Sequence, residues 1–142
     1  MIMALISILC AGLFAGAAVY INAVEHPARL LCGTAIAVQE FGPSYRRATI
    51  MQASLAIFGL TAAVAAWIRL QDPLLLTGGL LLGAVVPFTL IAILPTNKQL
   101  LDPTLDRNSQ RAADLLSRWG KLHAVRSVLS VSAFVILLTR LA

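Results

Sequence analysis

The sequence predicts an all-α fold: an integral membrane four-helix bundle, with a short interfacial helix after helix one and a cytoplasmic extension of helix four. Three observations predict it. Charged residues make up 12% of the 142 positions and hydrophobic ones 59%, whereas a soluble domain carries roughly 25% charged residues. Mean hydropathy is +0.87. Four stretches are apolar enough and long enough to cross a hydrocarbon core about 30 Å thick, which takes about 20 residues of helix. They lie near 2–24, 48–68, 74–94 and 124–141 of one transmembrane domain that covers 1–142. Strands are excluded for an open structure, since an unpaired sheet edge in lipid leaves backbone groups without partners.

Each element follows from its residues. Ile2–Val24 is broken only by Ser7, Tyr20 and Asn22; without a basic leader it reads as a retained span, not a signal peptide. Pro27 suits the start of a new turn. The stretch from Pro27 to Glu40 is too short to span and is expected to lie at the interface, ending at Gly42-Pro43, with Ser44 capping helix two. Asp72-Pro73 caps helix three, Pro87 is expected to kink it, and Pro95 to mark its end. Asp102-Pro103 opens a second long connection. From Leu105 to Leu122 a polar stretch runs into helix four, and Trp119 is placed as an interface anchor. Cys10 lies within helix one and Cys32 beyond its end, so the two are not expected to meet in a disulfide.

Charge orients the bundle. Arg29, Arg46, Arg47, Lys98, Arg107, Arg111, Arg118 and Lys121 sit in the two long connections, against Arg69 and Arg140 on the other side. The positive-inside rule then puts both long loops in the cytoplasm and both termini outside, in a bacterial-type inner membrane. The net charge of +5 reads as a face against anionic headgroups and needs no nucleic acid. Two small-residue motifs, Gly12/Gly16 and Gly79/Gly83, serve packing within the bundle or a homo-oligomer contact. A weak repeat aligns Asn22, Tyr45 and Gln52 with Asn97, Trp119 and Arg126.

Polar groups at the edge of a span are costly and mark functional candidates. They gather at the cytoplasmic helix ends: Asn22, Glu25 and His26 from helix one, Tyr45, Thr49 and Gln52 from helix two, Thr96 and Asn97 from helix three. Trp119, His123, Arg126 and Ser130 share a face of helix four through their 4-3-4 spacing. Arg126 needs a partner, and Glu25 is the one acid at its level; the alternatives are a structural pair, snorkelling, or an oxyanion clamp. His26 and His123 offer a general base and acid, or, with Glu25, a set of metal ligands. No HExxH, CxxC, phosphate loop or nucleophile elbow is present.

Four motifs in order, Asn22-x-x-Glu25-His26-Pro27-x-Arg29, Tyr45-Arg46-x-Ala48 with Gln52, Pro95-Thr96-Asn97-Lys98 with Leu100, and Trp119-x-x-Leu122-His123-x-x-Arg126, resemble the anthrone oxygenase-like family of small four-helix membrane proteins across nearly the whole chain. The resemblance implies insertion of oxygen at the activated methylene of an anthrone, giving an anthraquinone. It implies a pocket where His26, His123 and Arg126 are catalytic and Asn22, Tyr45, Gln52, Asn97 and Trp119 bind substrate. The expected partners are the lipid bilayer, a small aromatic or amphipathic ligand and molecular oxygen. The cofactor is none, or a metal ion held through His26 and His123. A second reading is a non-catalytic membrane protein that binds or carries such a ligand; a third is a structural component whose polar cluster closes the helix ends.

Overall fold

The computed structural model describes residues 1–140, so Leu141, at the end of the fourth expected span, lies outside the described residues. Four helices long and apolar enough to cross a membrane account for nearly all of it: α1 (Ile2–Leu31), α2 (Thr34–Leu70), α3 (Pro73–Leu100) and α4 (Gln110–Leu138). The chain is an integral membrane protein. Successive helices run in opposite directions, and each packs on its two neighbours around the bundle, while the diagonals barely touch.

In lipid, apolar burial does not drive helices together, so close packing of small residues does. The inner faces are accordingly alanine- and glycine-rich: Ala11, Ala15 and Ala18 on α1, Ala56, Ala63 and Ala66 on α2, Gly78 and Gly79 on α3 are buried. Leu9, Leu13, Phe58, Leu80 and Val128 point outward, where lipid receives them. A Cβ at Gly83 would stand 2.7 Å from Leu60, and one at Gly79 would overlap Ala63, so this motif serves packing of α3 on α2. Gly12 faces Phe134 of α4 in the same way, while Gly16 faces open space.

Helix boundaries depart from expectation chiefly at the first connection. Instead of a separate interfacial helix ending at Gly42-Pro43, α1 continues without a break to Leu31, and the 34–44 stretch is the first part of α2, which runs through Pro43. The reversal happens at Gly33, whose φ of 92° only glycine adopts without strain. Ser44 is therefore no cap; it lies within α2. Nor does Pro95 end α3, which runs on to Leu100, whereas the cap expected at Asp72 is formed. Asp72 Oδ1 accepts from Leu74 N at 3.0 Å, and an Arg140–Asp72 ion pair at 2.5 Å fastens the end of α4 to that turn. Ser109, not a residue near Leu105, starts α4, with its Oγ accepting from Ala112 N at 3.2 Å.

Two turns are wider than α-helical. In α1 a π-helical turn spans Ile21–Glu25, and in α3 another spans Thr89–Ile93. Each ends two residues before a proline, Pro27 and Pro95. A proline inside a helix lacks the N–H and pushes against the carbonyl four residues back; widening the preceding turn relieves that crowding. At Pro87, the expected site of a kink, the helix continues, and the widened turn belongs to Pro95. This shared device relates α1 to α3, but it aligns Pro27 with Pro95, not Asn22 with Asn97 as the repeat in the sequence suggested.

A helix of 37 residues is about 55 Å long, well beyond the hydrocarbon thickness. Counted from the Asp72 end, about 20 residues of each helix fill the core. Asn22 and Gln52 then fall near its far edge and Asn97 just past it, while Arg126 sits deeper on α4 and joins them through its side chain, which bonds Gln52.

Candidate functional site

At that level the four helices enclose a small polar cavity. Its walls include Glu25 and Arg29 from α1, Phe41, Ser44, Tyr45, Thr49 and Gln52 from α2, Asn97 from α3, and Trp119, His123 and Arg126 from α4. The free volume at its centre is about 20 Å³, room for one water-sized molecule.

Asn22 stands behind His123 and fixes it. Its Nδ2 donates to Gly120 O at 3.1 Å, which leaves Oδ1 as the acceptor. Oδ1 receives Ser127 Oγ at 2.6 Å and meets His123 Nδ1 at 2.7 Å. With the amide assigned that way, neutral His123 carries its proton on Nδ1. Nε2 keeps its lone pair and makes no hydrogen bond among the described residues. Trp119 stacks on the imidazole with centroids 4.8 Å apart, and Phe41 meets Trp119 edge-on at 5.3 Å.

Arg126, three residues on, faces the same cavity. One Nη donates to Gln52 Oε1 at 2.6 Å, its Nε has no partner, and the Phe14 ring lies 5.4 Å from its Cζ. Among the described residues no carboxylate pairs with it. The expected Arg126–Glu25 pair is therefore replaced. Glu25 binds Arg29 instead and accepts from Ser44 Oγ at 2.7 Å. Arg29 also reaches Glu40 at 2.7 Å and lies 5.7 Å from the Trp119 ring centroid. One cation has two carboxylates beside it and the other only a neutral amide.

Three further polar groups await partners. Gln52 Nε2 and both polar atoms of the Asn97 amide are buried and unbonded, with the two residues each 1% exposed. Native interiors leave few such groups.

Most of the expected site residues come together here: Tyr45, Gln52, Asn97, Trp119, His123 and Arg126, with Glu25. Asn22 acts one layer back, on His123. His26 does not reach the cavity; its ring tilts against Trp119 at 5.1 Å, over Gly120, where a Cβ would come within 2.7 Å of Nε2. The expected metal set of His26, His123 and Glu25 does not assemble either, and among the described residues no three His, Cys, Asp or Glu side chains form a group able to hold one ion. Trp119 packs against both imidazoles, and Arg29 and Ser44 engage Glu25.

Sequence reasoning passed over Arg29, Ser44 and Ser127. Arg29 stands four residues after Glu25 on a nominally interfacial segment, a spacing that favours an ion pair. Ser127 stands four after His123, on the face already singled out. Ser44 gave no signal beyond that of a cap.

The model of the anthrone oxygenase family matches residues 41–136, more than half of the chain. The chain belongs to that family. The match covers most of α2, all of α3 and nearly all of α4, and with them Tyr45, Gln52, Asn97, Trp119, His123 and Arg126. The Asn22–Arg29 motif, which carried part of the resemblance, precedes the matched residues of this anthrone oxygenase-family protein. Neither a curated protein nor a solved structure matches the chain.

Proposed function

We propose that this protein is a membrane-embedded oxygenase acting on an anthrone-like phenol, with His123 as base and Arg126 as the holder of the phenolate oxygen. The observation that carries the reading is the half-buried Arg126 guanidinium, bonded only to the neutral Gln52, beside a histidine whose free nitrogen is fixed by Asn22. A guanidinium left without a counter-ion in a low-dielectric site favours an anion that forms during reaction.

The chemistry balances with these groups and oxygen. His123 Nε2 takes a proton from the acidic methylene, and the charge spreads into the phenolate held by Arg126. The carbanion adds O2 to give a peroxide anion, which takes the proton back from His123 as a hydroperoxide and then loses water to leave the ketone: CH2 and O2 become C=O and H2O. The Asn97 amide and Gln52 Nε2 supply further hydrogen bonds to the substrate oxygens. The donors present fit a base and an oxyanion holder better than a three-ligand metal centre.

The basic connections flank this end of the bundle, which supports a cavity facing the cytoplasmic leaflet and both termini outside.

The test is oxygen consumption by detergent-purified protein with an anthrone, alongside metal analysis. His123→Ala is expected to lower turnover by about 10²–10⁴-fold, and more than His26→Ala does. Full turnover by His123→Ala would sink the assignment. Stoichiometric binding by the wild type without oxygen uptake would select the carrier reading instead.

A further inference from the structure

The polar cavity, at about 20 Å³, has no room for an aromatic ring. A second cavity adjoins it. Between α2 and α3 runs an apolar fissure of about 90 Å³, lined by Ala53, Ala56, Val85, Val86 and Leu90 and floored by Phe14. The two cavities share three residues, Thr49, Gln52 and Arg126. The Gln52–Arg126 hydrogen bond therefore forms the partition between them.

Several features make this fissure a way in from lipid. Leu90, at its mouth, is 59% exposed on the bilayer-facing surface of α3. Alanines at 53 and 56 leave the α2 wall low. Thr89 turns its hydroxyl back onto Val85 O at 2.6 Å, so the α3 wall presents no free polar group there. The π-helical turn begins at Thr89, and such turns interrupt helices frequently at functional sites. A closed cavity of about 150 Å³ holds a benzene; this smaller fissure is open on one side, so a larger ring system enters edge-first with its remainder in the acyl chains.

We infer that the α2–α3 fissure is the lipid-side portal and apolar subsite for a flat phenolic ligand, whose ionised oxygen displaces Gln52 Oε1 from Arg126. The inference rests on the reading of the polar cavity as a phenolate site. The neutral amide suits the role of a partition: it satisfies the guanidinium while the site is empty and yields to an anion, which a carboxylate would not.

The probe is 2-naphthol, a planar phenol, added to the protein in phosphatidylcholine nanodiscs. Binding is followed by energy transfer from Trp119 in a Trp67→Phe background. Ala53→Phe, which fills the fissure from the α2 side, is expected to slow association by about tenfold. Leu90→Ala, which widens the mouth, is expected to speed it. Val128→Phe, on the lipid face of α4, serves as the control and leaves the rate as it was. Arg126→Gln weakens equilibrium binding by about tenfold to hundredfold whatever the route, since it removes a charged hydrogen bond. Unchanged rates in both fissure variants, with binding still weakened in Arg126→Gln, overturn the portal alone and leave the groove to an acyl chain. A control slowed as much as Ala53→Phe overturns it too. No binding by any variant, the unsubstituted background included, overturns both readings.

Discussion

Asn22 settles which imidazole nitrogen meets the cavity, because its own NH2 is committed to Gly120 O. It acts through His123, so its loss is felt in turnover. Asn22→Ala is expected to lower kcat by about 10- to 100-fold, the usual size for a group that orients a functional histidine. KM stays within about twofold, and steady-state oxygen uptake reads both. Gly120 has a steric duty. A methyl there would press on His26 Nε2, and His26 is wedged against Trp119, so Gly120→Ala is expected to cost about 1–3 kcal/mol in thermal unfolding in detergent; an unchanged Tm would show that His26 has room to move. At this scale the sequence revealed which side chains gather, since buried polar residues near a span edge are few. Partnerships were less legible. Glu25 looked like the mate of Arg126 because it is the acid at the same depth, but depth along a helix says nothing about which neighbour a side chain faces.

Helix ends in this protein are set by backbone conformation more than by the residues that usually break helices. Gly42-Pro43 reads as a stop, yet α2 passes through it, with Pro43 on the exposed surface where a missing N–H costs least. The reversal needs a positive φ, and Gly33 provides it. At the other end of α2, Gln71 adopts φ 52° while its N–H closes the helix on Trp67 O at 2.7 Å. A non-glycine residue in that left-handed region costs on the order of 1 kcal/mol. Gly33→Ala is therefore expected to lower Tm and Gln71→Gly to raise it, each by the equivalent of about 1 kcal/mol. Movement of both in the same direction in a thermal melt would contradict this account. The four spans were legible because twenty apolar residues in a row have few other readings. The π-helical turns were not, since a widened turn leaves hydropathy unchanged and only the prolines two residues later hinted at it.

As a whole, the molecule is four rods longer than the bilayer is thick, with their surplus length at the basic end. That asymmetry gives a direct test of orientation through a native residue. Cys32 is exposed at the α1–α2 reversal, whereas Cys10 is half-buried inside α1. A membrane-impermeant maleimide is expected to label Cys32 in inverted vesicles and to spare it in right-side-out ones; labelling from the outside would reverse the proposed topology. The widened turn in α1 has a further consequence for how the rods meet. An extra residue in one turn rotates everything after it by about 100° relative to an uninterrupted helix. Asn22 is aimed at α4, but Glu25 and Arg29, past the added residue, meet α2 at Ser44 and Glu40. Helix α1 thus changes the neighbour it serves part-way along its length. Deletion of Ala23 or Val24 would restore a regular helix and leave every side chain of the site present. It would also swing the Glu25–Arg29 pair out of phase with α2, so the spacing of this segment, and not its composition alone, carries the design of the site.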